Sequence, residues 1–485
     1  MSSDAQRPAS TTAGGSPAAD PTGPTGIEPG SIGPRLDRLP TTRIQWSQAI
    51  ISQGAFWGLL LLIDPLAIRI YPYVWEPINA FSQMQYAILV GFENGAGVLI
   101  GQYLLNHLAD RFGRKPLMVA SCVIAGGFVW PIAFTNDWAL LMLFMTLAAV
   151  GVGGALGLSA VYTSEIAPPA NRNRLMLGGQ VVAALIISLI GGLPPIYMLP
   201  DHVVAFVLLY AALPFVVLLP LVVFGLPESP RWLEGHGRLD EADRIVTRIE
   251  QKTTRLLGRQ LPEPGSPYRL HRAQEKVRLS ELFQGVYLRR ILVLLPFWFV
   301  GYAGLDYGMQ TFQLVYLGEV GNYDASTTFT IFFWGGLVGT VGGTLAGSVL
   351  NERIERKTLI LCAGIMTFLG GAGYLFAVGN VAVATVSTML TSGAVLVWAF
   401  NGYNYTAVSF PTRLRASANA WTDGIGHMGA VLGPIIASAL YAASTGTNHI
   451  LWFLWFAVIG GLLPCALLFV YGTRQRNAVL EEISV

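Results

Sequence analysis

Apolar segments of about 20 residues recur along the chain, each closed off by a short polar break. A helix of about that length crosses the hydrocarbon core of a bilayer. Twelve are expected, at about 46–68, 82–108, 116–134, 138–164, 174–196, 203–225, 290–317, 327–350, 357–377, 381–408, 417–443 and 449–471. The long polar interruption, 226–289, divides them six and six. The pattern predicts an all-α integral membrane protein of twelve transmembrane helices in two six-helix bundles. The expected divisions are a tail (1–43), a bundle (44–225), a linker (226–289), a second bundle (290–472) and a tail (473–485). Residues 1–43 are rich in Ser, Thr, Pro, Gly and Ala and lack a signal peptide's apolar core, so they are expected to be disordered. In the linker, the spacing of Leu239, Ala242, Ile245 and Ile249 predicts a short amphipathic helix.

The two halves repeat one another. Leu108-Ala109-Asp110-Arg111-Phe112-Gly113-Arg114-Lys115 follows an apolar run with Gly97 and Gly101. Leu350-Asn351-Glu352-Arg353-Ile354-Glu355-Arg356-Lys357 follows another with Gly339 and Gly343 in the same columns. Glycine every four residues lets two membrane helices approach closely. A repeat of this period in an apolar chain reads as two parallel bundles. A second repeat joins Tyr162-Thr163-Ser164-Glu165 and Arg172 to Tyr405-Thr406-Ala407-Val408 and Arg415.

Charge adds an orientation. Of 30 Lys and Arg, only Arg69 falls on the outer side of this topology, and the rest lie in tails, linker and even-to-odd connections. Basic residues mark the cytoplasmic side, so both termini and the linker are expected there, in a cell membrane. Hydrophobic residues make up 53% of the chain and charged ones 12%, half the share of a soluble domain. Net charge of +2 gives no reason to expect nucleic acid. Cys122, Cys362 and Cys465 lie in apolar segments and read as packing residues. The sequence contains no phosphate-binding G-x-x-x-x-G-K-[ST] loop, no metal-ligand spacing and no nucleophile with a base partner, so no cofactor and no enzyme activity are expected.

The paired loops resemble those between the second and third and the eighth and ninth helices of the major facilitator superfamily. The linker opening, Pro227-Glu228-Ser229-Pro230-Arg231-Trp232-Leu233, resembles the sugar-porter branch. Val408 stands where that branch has a second Glu, and Asn173 and Ala416 replace its usual glycines. The resemblance, over 46–471, is to a divergent member. It implies a gate made of Asp110, Arg111, Arg114, Glu165, Arg172, Glu352, Arg353, Arg356 and Arg415. It also implies that Gln180 binds a hydroxylated solute and that Asp64 is the proton site, although Met145 replaces its usual arginine partner.

Ionisable groups inside a bilayer are costly and so mark function. Those expected there are Asp64, Glu93, Asp306, Asp423 and His427, with Asp64 the principal coupling residue and Asp423 and His427 one helical turn apart. Solute contacts are expected from Gln180, Trp298, Gln310, Gln313, Asn401, Tyr403 and Asn404. The implied function is a secondary active transporter of a small organic solute, coupled to protons and working by alternating access. Its partners are the solute, protons and the lipid bilayer, and a monomer is expected. A neutral, sugar-like solute ranks ahead of an organic acid, for which His427 is the one core counter-charge. A drug exporter or a non-transporting sensor ranks lower.

Overall fold

A computed structural model describes residues 27–64, 82–168, 171–198, 202–267, 279–350, 353–410, 414, 418–444 and 448–475. Ten of the described helices are long and apolar enough to cross a membrane. Two further helices, Arg43–Asp64 and Arg172–Met198, stand at the first and fifth expected spans. In chain order the membrane helices are α1 (Arg43–Asp64), α2 (83–112), α3 (Arg114–Val129), α4 (Trp138–Ile166), α5 (Arg172–Met198) and α6 (203–225). The second half holds α7 (285–320), α8 (Ala325–Leu350), α9 (Arg356–Gly373), α10 (Val381–Val408), α11 (418–443) and α12 (448–471). α7 begins at Gly285 rather than 290. The fold is the twelve-helix arrangement that the hydropathy pattern predicts.

The repeat survives at the level of contacts. In the first half a Cβ on Gly97 would stand 2.6 Å from the Thr146 carbonyl oxygen, and one on Gly101 would stand 1.9 Å from that of Val150. In the second half, Gly339 and Gly343 meet the carbonyls of Met389 and Gly393 at 2.5 and 2.4 Å. α2 thus crosses α4 as α8 crosses α10, backbone against backbone. The lysines of the two loops also match. Lys115 Nζ donates to Val223 O (2.7 Å) near the end of α6, and Lys357 Nζ to Phe469 O (3.1 Å) and Gly472 O (3.2 Å) at the end of α12. Each closes the carbonyl-rich C-terminus of its half's last helix, where a cation is favoured.

Among the described residues the halves touch mainly along two helix pairs, α2 with α11 and α5 with α8, with a smaller contact between α2 and α7. The α2–α11 contact is close because glycine lines it. Gly91 and Gly95 lie against Val431, and Gly424 lies against the Tyr103 hydroxyl. Several membrane helices contain a wide π turn, among them Phe92–Gly97 in α2, Tyr302–Asp306 in α7 and Ala420–Gly424 in α11.

The tail is not unstructured throughout, as expected for 1–43. Residues 32–37 form a helix that docks on the linker. Ile32, Leu36 and Leu39 bury against Trp232, Leu233, Val246 and Ile249. Their i, i+4, i+7 spacing keeps them on one side of the helix and of the residues that follow it. Glu234 accepts from the backbone N–H of Gly30 (2.9 Å) and Ile32 (3.0 Å). Arg35 pairs with Asp243 (2.6 Å) and Glu250 (2.7 Å), Arg38 with Glu250 (2.6 Å), and Arg231 with Asp37. Burial works to raise the Glu250 pKa, but the hydrogen bonds and charges of Arg35 and Arg38 outweigh it and hold the carboxyl below its ordinary value. The linker helices are Pro230–Gly235, capped by the Ser229 hydroxyl, and Leu239–Leu257, closed by Gly258 at φ 64°. The side of the protein that carries this small domain is the linker face, and the opposite side is the distal face.

Candidate functional site

Two π turns, in α7 and α11, bring the second half's ionisable and aromatic side chains together. A π turn places one extra residue in the helix and redirects the side chains around it. Asp423 lies in the π turn of α11 and is fully buried. Its Oδ1 accepts from the Tyr302 hydroxyl at 2.8 Å, on the π turn of α7. Tyr302 shares a second hydrogen bond with the Tyr403 hydroxyl of α10, also 2.8 Å. Asp423 Oδ2 has no hydrogen-bond partner among the described residues. A buried acid so weakly satisfied is costly as an anion, which suits a group that takes up and releases a proton.

His427 stands beside this pair, but its bond differs from the expected one. The ring Nδ1 lies 3.0 Å from the Asp423 backbone carbonyl and 3.6 Å from the carboxylate Oδ1. One helical turn of separation puts the ring over the carbonyl of residue i−4, which competes with the carboxylate for the same nitrogen. The ring centroid is 4.2 Å from that of Tyr302. Trp298 completes the wall, stacked 5.5 Å from Tyr302 and tilted 4.7 Å from Tyr403, with its Nε1 donating to Thr406 Oγ1 at 3.1 Å. Trp398 closes edge-on against Tyr302 at 5.1 Å. Small residues admit these rings. A Cβ on Gly301 would stand 2.4 Å from Trp398, and one on Gly402 2.9 Å from Trp298.

The cluster adjoins the seam between the halves. Gly95 of α2 faces the His427 carbonyl (3.3 Å from an added Cβ), and Tyr103 of α2 reaches Gly424 next to Asp423. A relative motion of α2 and α11 therefore changes what surrounds Asp423 and His427.

The other expected residues are placed as follows. Asp306 ends the π turn of α7 and accepts from Gln310 Nε2 at 3.0 Å. Gln313 instead bonds Thr388 Oγ1 (3.0 Å), which also meets the Tyr374 hydroxyl (2.7 Å), inside the second half. Asn401 donates to the Val397 carbonyl (2.8 Å) and points to Gly347 of α8. Both amides lie away from the ring cluster, and the Asn401 Oδ1 is covered without a hydrogen-bond partner among the described residues. Asn404, beside Tyr403, is half-buried. Gln180 on α5 is half-buried, and its Oε1 is covered without a hydrogen-bond partner among the described residues. Glu93 is buried in the π turn of α2, which packs on α4. Asp64 is the last residue of α1 and its side chain lies outside the described residues.

On the linker face Arg114 is the hub. It pairs with Asp110 (2.7 Å) and Glu165 (3.0 Å) and donates to the Ala109 carbonyl (2.8 Å), all within the first half. Glu165 therefore holds Arg114, while the expected Arg172 keeps a buried Nε without a partner among the described residues. Glu228 accepts from the Arg114 backbone N–H (3.0 Å), and Arg231 donates to the Glu165 carbonyl (2.8 Å), fastening the linker to this loop. Arg111 is exposed. In the second half, Arg356 donates to Gln475 (3.3 Å), and Gln475 bonds Glu355 (2.9 Å) and Ser409 (2.9 Å). Arg353 is exposed, and Glu352 and Arg415 lie outside the described residues. Sequence reasoning missed Tyr302 and Tyr103. The i, i+4 pair Trp298–Tyr302, on a helix that also carries Asp306, was the signal for the first.

The sequence matches the family model described as Major Facilitator Superfamily over residues 49–422. It is 25% identical over 483 residues to the niacin transporter NiaP of Acinetobacter baylyi, covering 93% of this chain and 99% of that protein. It is 26% identical over 417 residues to the 4-hydroxybenzoate transporter PcaK of the same species, covering 84% and 87%. Among solved structures it is similar to a partially occluded inward-open conformation of the xylose transporter XylE from E. coli, with a TM-score of 0.62, 19% identity, and coverage of 90% and 100%.

Proposed function

Because the chain belongs to the major facilitator superfamily, we propose that it is a secondary transporter that imports a small aromatic carboxylic acid together with a proton, with both termini and the linker in the cytoplasm. The observation that carries this reading is the buried Asp423–Tyr302–His427 group at the seam between halves, walled by Trp298, Tyr403 and Trp398. An aromatic wall takes the ring of such a solute. The Tyr302 and Tyr403 hydroxyls and the His427 ring supply donors to a carboxylate, and Asp423 carries the proton. Solute enters when the halves part, since Asp423, Trp298 and Trp398 are wholly covered here.

Two solute classes fit the residues. The neutral class is favoured by the shortage of buried cations in the membrane core. The acid class is supported by relatives that carry the names niacin transporter and 4-hydroxybenzoate transporter, and by the aromatic wall beside His427. An acid moving with a proton also needs no permanent buried cation, because the pair crosses with no net charge beyond that of the site.

The test is uptake into proteoliposomes with an inward proton gradient and matched panels of aromatic acids and sugars. Proton uptake driven by aromatic acids, abolished in His427→Ala, is the expected result. Uptake driven by sugars, with His427→Ala unchanged, returns the assignment to a neutral solute.

A further inference from the structure

α7 and α12 pack side by side on the outer surface of the second half, and a groove runs between them. Near the linker face Arg289, Arg290, Ser409 and Thr473 line it. Val293 and Tyr471 line this stretch and the next one. Beyond them the wall is apolar, with Leu292, Pro296, Val300, Leu463 and Leu467. Leu292 is 63% exposed and Leu463 47%, so the groove opens outward, where lipid lies, and away from the seam.

The polar end is cationic. Arg289 is exposed. Arg290 is held in place by a hydrogen bond to the Ser409 carbonyl and lies 5.9 Å from the Tyr287 ring centroid. Arg474 is exposed next to Thr473. No carboxylate is among the described residues lining this end. Two arginines at the end of a membrane helix, continuous with an outward apolar channel, match an anion carried on a hydrocarbon chain. A soluble anion would leave the apolar stretch unused, and a zwitterionic headgroup would set its own cation against the arginines.

We infer that this groove binds an anionic phospholipid of the linker-face leaflet, with its phosphate on Arg289 and Arg290 and an acyl chain laid along Leu292, Pro296 and Leu467. Guanidinium groups bind phosphate oxygens in a fork, and each basic side chain near an anionic leaflet adds about fivefold to binding. The site is independent of the solute assignment, because none of its residues belongs to the ring cluster.

The experiment is native mass spectrometry of the purified full chain titrated with phosphatidylglycerol, phosphatidylcholine or glycerol 1-phosphate. One phosphatidylglycerol is expected to bind in preference to phosphatidylcholine, and glycerol 1-phosphate should not displace it. Arg289→Gln should weaken that binding by about fivefold, Arg289→Lys should keep most of it, and Leu467→Trp should weaken it by filling the apolar stretch. Arg174→Gln, at an exposed arginine in the first turn of α5 on the same face, should leave it unchanged. Equal retention of both lipids, full displacement by glycerol 1-phosphate, or equal losses in Arg174→Gln and Arg289→Gln would overturn the assignment.

Discussion

Gly91→Ala sets the two halves against each other at one point. Gly91 is on α2 and its neighbour Val431 on α11, so the contact joins opposite halves. An added Cβ would stand 2.7 Å from the Val431 carbonyl oxygen and 3.1 Å from its Cα. Carbon and carbonyl oxygen in close contact sit roughly 3.3–3.6 Å apart, so α11 must retreat by roughly 0.6–0.9 Å. Backbone atoms cannot swing aside as a flexible side chain can. Overfilling a packed contact in this way costs about 1–3 kcal/mol. Gly91 is eight residues from the distal start of α2 at Gln83, or about 12 Å along the helix, which puts the contact in the distal half of the membrane. The state closed on the distal face carries the cost, and the state open there does not. The equilibrium should move toward distal opening by about 5–150-fold. Spin labels at Met84 and Leu440, both exposed near the distal ends of α2 and α11, would report it as a longer distance by double electron–electron resonance. Turnover should fall, because the return step has become uphill. Gly424→Ala makes the reverse test nearer the linker face. Its Cβ meets the Tyr103 hydroxyl at 2.8 Å, a movable ring tip, so the shift should be smaller and of opposite sign. An unchanged or shortened distance in folded Gly91→Ala protein would refute the reasoning.

Asp423→Asn keeps the side chain's size and removes the proton carrier; uphill accumulation in proteoliposomes should vanish while solute exchange persists. Survival of accumulation there, with its loss in Asp64→Asn, would move the coupling site to α1. Glu234→Ala strips the acceptor from the Gly30 and Ile32 N–H groups; at about 1.5–3 kcal/mol for a hydrogen bond to a charged group, amide exchange over residues 28–39 should quicken at least tenfold, and unchanged exchange would count against the docking. The same segment should respond to acid. Glu250 is held below its ordinary pKa of 4.5, so its contribution is fully present above that value and is lost as pH falls through the lower folded one. Protection of residues 28–39, taken relative to the intrinsic exchange rate at each pH, should therefore be steady from pH 7 to about 5 and fall only in stronger acid, and a fall already near pH 6 would assign the effect to another group.

The membrane helices and their doubling were legible because hydrocarbon imposes length and apolarity on every span, whatever the protein's chemistry. The loop motif was legible for a similar reason, since Lys115 and Lys357 meet the same need at the ends of α6 and α12. Direction around a helix was not. Gln313 and Asn401 read as solute contacts, yet Gln313 faces Thr388 and Asn401 faces α8. His427 and Asp423 were rightly placed on one helix face, but their spacing could not tell that a main-chain carbonyl takes the ring nitrogen. The docked tail was hidden by its Pro- and Gly-rich surroundings, although Ile32, Leu36 and Leu39 already had helical spacing. Nothing in composition marks a π turn, and those turns decide where Tyr302 and Asp423 point.

The π turns also act as phase shifters. Each winds one more residue into a turn than the α-helix would, so in register it counts as a single inserted residue. Deleting one residue within 302–306 would restore a regular helix and rotate one end of α7 against the other by about 100°. Trp298 and Tyr302 would then stand at a different angle to the Asp306–Gln310 pair at the other end of the helix. The same holds for 420–424, where the shift sets Asp423 against α7 while Val431 stays against α2. A homologue without these turns should be one residue shorter in each of the two helices, and each gap in its alignment with this chain belongs inside the helix, where gaps are usually forbidden.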